Sequence, residues 1–357
     1  MGLICVANRI LKPETVVSAS FYPRQGILGN PGEYEGTLAL TGRIVLAGGT
    51  GFIGTFLRQR LAADGYEVVL LTRSPIQNGG EIRQVTWDGQ NMGDWKTELE
   101  GSHALINLSG RSVNCRYNEK NRREILESRV ETTRILGEAV GRAVNPPPVW
   151  LNASTATIYK HTFDREMDEE TGEIGATPEA KDAFSIEVAK AWEKTFFETP
   201  TPATRKVALR TAMVFAEDHG GVYRTLRSLT RWGLGGTIAG GRQFISWIHE
   251  ADFCRVIEWL IDRDDFSGPV NVASPNPVTQ GEMMRIIRRA CGAPFGLPAT
   301  RSMLEVAAFV HRTEAELIIK SRRVVPSRLL AAGFEFRFPM MEEAVWEIEQ
   351  RIRHLPG

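Results

Sequence analysis

Gly48, Gly51 and Gly54 recur at every third position in Ala47-Gly48-Gly49-Thr50-Gly51-Phe52-Ile53-Gly54. Between a strand and a helix, that spacing suits one piece of chemistry, the holding of a phosphate. Gly48 is expected to make a tight turn, Gly51 to let a ligand lie against bare backbone, and Gly54 to let helix and strand close together. Thr50, Phe52 and Ile53 belong to the same loop and first helical turn. Free amides at a helix start, together with the helix dipole, favour negative charge there. The other reading, a glycine-rich turn without a ligand, is disfavoured by the strand and helix on either side.

Roughly 20 residues further along, where an acid would grip a ribose diol, the chain reads Leu70-Leu71-Thr72-Arg73-Ser74. No acid is present in that stretch. Arg73 offers a planar fork of donors, and Thr72 and Ser74 add hydroxyls, a set that suits a 2′-phosphate. A solvated surface arginine is the alternative reading of Arg73. The ligand these groups describe is a nicotinamide dinucleotide, NADP(H) by preference with NAD(H) still open. Asp88 either accepts from the adenine amino group or stabilises a turn. Leu108-Ser109-Gly110 ends another apolar run, and small residues there leave room beside the dinucleotide.

These groups need a frame, and the chain supplies one from Arg43 onward. Short apolar runs alternate with helical stretches, the mark of a parallel α/β sheet. The expected strands are Ile44 to Ala47, Val68 to Leu71, Val85 to Trp87, Leu105 to Leu108, Val149 to Ala153, Val207 to Arg210 and Val270 to Ala273. Ile53, Leu57 and Leu61 recur every fourth residue and should face the sheet. The expected fold is therefore α/β, a Rossmann-type doubly wound parallel sheet with a smaller C-terminal cap. Residues 1–42, rich in Gly and Pro, read as an extension, 43–220 as the dinucleotide-binding domain, and 221–357 as the substrate region, with the strand at 270–273 returning to the sheet.

Composition narrows the partners. A hydrophobic content of 42% supports a sizeable core. With 43 basic and 43 acidic residues, no global field draws in nucleic acid or an anionic membrane. The four cysteines show no metal-ligand spacing, and no run reaches the roughly 18 apolar residues of a membrane span. The expectation is a cytoplasmic protein acting on a small molecule, without metal, nucleic acid or membrane; the oligomeric state is open.

The chain resembles the extended, epimerase/dehydratase-like branch of the short-chain dehydrogenase/reductase superfamily. The likeness is carried by the glycine motif, Asn107 to Gly110, Ser154-Thr155-Ala156-Thr157-Ile158-Tyr159, Leu209-Arg210, and Trp247-Ile248-His249 with Asp252. Gly110 to Tyr117, Ser128 to Val130 and Lys320 to Pro326 look more like an atypical bacterial group labelled NAD-dependent epimerase/dehydratase family. The resemblance covers nearly everything from Arg43 onward.

It implies an epimerase-like oxidoreductase in which a Tyr and a Lys four residues apart share a helix face, the ammonium lowering the phenol's pKa for proton transfer. Alignment through Trp192-Glu193 puts Ser185 and Ala189 at those positions, so the pair is missing. Phe184, Val188, Trp192 and Phe196 form the apolar stripe that fixes the helix, and Lys190 points about 100° away from the required face. The resemblance leaves Ser154 as the strand-end serine, Arg129 where an asparagine usually stands, and Tyr159 as a substrate contact or replacement acid. Each also has a structural reading: a hydroxyl tied to backbone, an ion-pair residue and a packed phenol, respectively. A catalytically inactive sensor or scaffold that binds NADP(H) is the alternative function.

Overall fold

The computed structural model describes residues 42–75, 82–217, 220–300 and 319–354. The expected extension at 1–42 therefore lies almost wholly outside the described residues. Thirteen strands occur among them: β1 (Arg43–Ala47), β2 (Glu67–Thr72), β3 (Arg83–Thr86), β4 (Ala104–Asn107), β5 (Val149–Thr155), β6 (Glu166–Met167), β7 (Arg205–Thr211), β8 (Met213–Phe215), β9 (Phe244–Ile245), β10 (Trp247–His249), β11 (Gly268–Val272), β12 (Val278–Thr279) and β13 (Arg323–Val324). The helices are α1 (Phe52–Ala63), α2 (Glu119–Arg142), α3 (Ala183–Glu198), α4 (Val222–Arg231), α5 (Glu250–Ile261), α6 (Gln280–Cys291), α7 (Ser327–Ala331) and α8 (Met341–His354).

Seven strands pair in the order β11-β7-β5-β4-β1-β2-β3, all parallel. They are the seven expected from the apolar runs, with ends that differ by no more than two residues. Near-continuous burial of β1, β2 and β4 follows from helices covering both faces. Ile44, Leu46, Leu70 and Ile106 face one way, into a core closed by Leu57 and Leu61 of α1 and by Phe253, Val256 and Ile257 of α5. Val45, Val69, Leu71 and Leu105 face the other way, against Ile135, Leu136 and Val140 of α2 and Phe196 of α3. The period-two alternation of a strand thus divides one sequence run between two cores.

The chain order reverses between β1 and β4, so the loops after those strands part at the sheet's carboxyl edge, where open α/β sheets bind ligands. Beyond β7 a second apolar cluster forms around Phe215, Tyr223, Trp247, Met283, Ile287, Met341 and Ile348. The helix α5 and the strand β11 nevertheless belong to the sheet layers, so a helix as well as the foreseen strand returns from the C-terminal half. The tail adds β13 beside β6, in parallel.

Candidate functional site

The three glycines of the first loop have separate reasons to lack a side chain. Gly48 has φ +75°, and a Cβ on it would come within 2.6 Å of the Ser109 nitrogen in the loop after β4. At Gly54 a Cβ would meet Gly49 Cα at 2.4 Å, so helix and loop touch through bare backbone. Gly51 differs: it caps α1 in ordinary extended geometry, φ −80°, and nothing but its own loop, at 4.0 Å, stands near its Cβ position. Neither strain nor packing asks for glycine at 51. Open space at a helix start is the cradle a dinucleotide's phosphates require, and the residues present fit that group.

Thr50 and Gly51 are exposed, Phe52 stacks edge-on against Phe56 at 5.6 Å, and Ile53 packs on the sheet core. Arg58, nearly buried one turn further on, donates from Nη1 to the Gly49 carbonyl at 2.7 Å. It fixes the loop and brings positive charge beneath it, a role the sequence reading missed. Arg73 stands exposed at the end of β2, while the Thr72 hydroxyl bridges to Ser74, donating to its carbonyl at 2.9 Å. Asp88 is exposed, but its carboxylate accepts from the Gln90 and Asn91 amides at 2.8 and 2.9 Å and from the Asn91 side chain at 2.7 Å. Those bonds hold its pKa below the usual carboxylate range and occupy it within its own turn. Leu108 and Ser109 lie against the glycine loop, and Asn107 accepts from the Ser109 amide at 3.0 Å.

Toward the other end of the crevice, strand alternation separates two neighbouring hydroxyls. Ser154 is buried and donates to Glu193 Oε1 at 2.6 Å. Thr155 is half-buried and accepts from the Thr157 amide at 3.1 Å, which leaves its own proton to donate. Tyr159 is fully buried: its hydroxyl donates to Asn271 at 2.8 Å and accepts from Arg210 at 3.0 Å. Burial raises its pKa, and the neighbouring Arg210 only partly offsets this. Arg210 and Glu193 are joined by two hydrogen bonds, of 2.9 and 2.8 Å. Burial opposes the guanidinium's charge, yet the carboxylate outweighs it and the pKa is raised.

Glu193, Arg210 and Asn271 were not foreseen as site residues. The signal was there: a charged residue at the end of the buried run Val207-Ala208-Leu209 needs an internal partner. His249 and Asp252, which help carry the resemblance, serve the fold, as a hydrogen-bonded structural histidine is expected to do at 249. His249 caps α5 through Nδ1 and meets Glu347 at 2.9 Å, while Asp252 accepts from the Arg337 and Phe338 amides, both at 2.8 Å.

Ser185 is half-buried and Ala189 buried on α3, while Lys190 points outward. The stripe of Phe184, Val188, Trp192 and Phe196 is buried, so the helix cannot turn to present another pair. Arg129, on α2, lies over the Trp192 ring, 5.2 Å from its centroid, and donates to the Arg111 and Ile125 carbonyls at 3.1 and 3.0 Å. From the tail, Lys320 forms a buried ion pair with Asp182 and donates to the Thr157 carbonyl at 2.7 Å, and Arg322 donates to the Thr157 hydroxyl at 2.7 Å. The C-terminal segment thus closes the turn that follows β5.

A seven-stranded parallel sheet with a glycine cradle at its switch point defines a Rossmann-type dinucleotide-binding protein. The chain belongs to the NAD dependent epimerase/dehydratase family, whose model matches residues 44–273. A domain of unknown function, DUF1731, matches residues 302–348. Epimerase family protein SDR39U1 of Bos taurus is 33% identical over 313 residues, covering 86% of this chain and 99% of that one. YfhF of Bacillus subtilis, another epimerase family protein, is 29% identical, covering 85% and 97%. The crystal structure of human SDR39U1 (isoform 2) with NADPH superposes with a TM-score of 0.73 at 29% identity, over 86% of this chain and 99% of that one. Among the described residues, no helix is long and apolar enough to cross a membrane.

Proposed function

We propose that this protein binds NADP(H) along the glycine cradle and uses it on a small molecule, as an epimerase-like or carbonyl-reducing enzyme of the short-chain dehydrogenase/reductase type in the cytoplasm. The observation that carries the reading is Gly51, bare and unobstructed at the start of α1, on a chain with Arg73 rather than an acid after β2. The relation to human SDR39U1, whose structure contains NADPH, supports the same cofactor. Gly48, Thr50, Gly51, Phe52, Ile53 and Gly54 would hold the diphosphate, with Arg73, Thr72 and Ser74 at the 2′-phosphate and Leu108 to Gly110 alongside. Asp88, already occupied by its turn, would contribute least.

When bound, the nicotinamide supplies or accepts a hydride. The hydroxyl at the β5 end that would polarise a substrate carbonyl is Thr155, half-buried with a proton to give, because Ser154 turns inward. Ser154 and Tyr159 would act as positioning residues: through Glu193 and Arg210 they fix the strand end that presents Thr155. Arg129 would stand close to the incoming substrate.

Occupied Ser154 and Tyr159, together with Ser185 and Ala189 in place of the Tyr/Lys pair, favour a second reading, a sensor that binds the dinucleotide without turnover. Purified protein mixed with NADPH and a broad panel of carbonyl compounds separates the two. The enzyme reading expects loss of the 340 nm absorbance of NADPH with at least one compound, slowed at least tenfold by Thr155→Val. Tight NADPH binding with no oxidation across the panel, together with different affinities for NADPH and NADP⁺ that shift a conformational or oligomeric equilibrium, would favour the sensor instead.

A further inference from the structure

We propose that Arg129 is the anchor for an anionic substituent of the substrate, a carboxylate or a phosphate, held on the guanidinium edge that Gly110 leaves uncovered. The proposal rests on the functional reading above and names the substrate class for that site.

A guanidinium presents two edges able to bind a pair of oxygens. In Arg129, Nη1 is committed to the Arg111 and Ile125 carbonyls. Nε and Nη2, which form the other edge, have no acceptor among the described residues, and neither is sealed from solvent. Neutral carbonyls, an aromatic ring and the nearby Tyr117 phenol are poor compensation for a charge so deeply surrounded, and burial lowers its pKa to about 10 against the opposing pull of Tyr117. At neutral pH the side chain is therefore charged, short of a counter-ion and still reachable.

Gly110 supplies the second observation. It is exposed and its φ is not positive, so its backbone would accept any residue. What a Cβ would meet there is Arg129: Cζ at 3.1 Å, Nη2 at 3.3 Å and Nε at 3.4 Å. Glycine keeps the uncommitted edge open. The position is also right, because Gly110 follows the Leu108-Ser109 backbone that touches Gly48, and Trp192 beneath the guanidinium belongs to the helix on which the superfamily carries its proton-transfer pair. An anion on this edge would sit between the cradle and α3, where a substrate beside the nicotinamide has to lie.

The test is calorimetric titration of the whole protein with malonate and, separately, with inorganic phosphate at constant ionic strength, each with and without saturating NADPH. Saturation fills the dinucleotide's own phosphate sites, so that the probe reads the remaining anion site. The expected result is saturable binding of at least one probe, weakened at least tenfold by Arg129→Met and also by Gly110→Ala, which keeps the arginine in place and covers its edge. The tighter probe identifies the substituent as carboxylate or phosphate. Unaltered probe binding in Arg129→Met, or no probe binding to unmodified protein, overturns the proposal. Failure of NADPH to bind would remove the cofactor reading alone, since the titrations without it still decide the anchor.

Discussion

Substituting Gly51 separates ligand space from fold at the level of single residues. Alanine fits its φ and ψ and meets nothing, so Gly51→Ala should cost less than about 1 kcal/mol of stability in urea unfolding. The same methyl stands where the diphosphate has to lie, and NADPH affinity should fall at least tenfold. Equal affinity in variant and parent would show that no ligand approaches there. The spacing of the glycines made their roles legible in the sequence. Ser154 was legible only as a strand-end hydroxyl, because its partner Glu193 lies 39 residues away and Tyr159 reaches Asn271 across 112. Local pattern encodes which face a residue takes, and only the assembled sheet decides what it meets there.

Among the elements, α1 and α5 are joined by a charged cluster whose pH response can be worked out. Arg60 of α1 meets Glu258 of α5 at 3.0 Å and Asp64, which caps its own helix, at 2.7 Å. Burial, a hydrogen bond with Asp64 and that residue's charge raise the Glu258 pKa from 4.5 to about 7, against the pull of Arg60. The folded protein thus holds this proton more tightly than the unfolded chain does. The resulting stability is full below 4.5 and is lost as pH rises through about 7. In Glu258→Gln that loss should be absent, so stability between those limits should fall less steeply than in the parent. Parallel urea-stability profiles of the two proteins would refute this assignment. All seven strands and the buried stripe of α3 were readable from apolar periodicity. The pairing of β13 with β6 was not, since two-residue strands carry no period.

The molecule as a whole is closed by its C-terminal segment, which Asp252 ties to α5 through the Arg337 and Phe338 amides. Asp252→Ala would leave those donors without their acceptor, at about 1–3 kcal/mol for each that stays buried. A lowered unfolding midpoint, with proteolysis beginning C-terminal to Gly333, is the expected outcome; a midpoint equal to the parent's would deny the tie. The same segment delivers Lys320 and Arg322 to the turn after β5, so loosening it should also weaken whatever the crevice holds. Calorimetric titration of the intact protein with NADPH and with NADH tests the choice of coenzyme directly. NADPH should bind at least tenfold more tightly than NADH, and Arg73→Ala should erase the difference. Absence of heat with either coenzyme, or tighter binding of NADH, would contradict it.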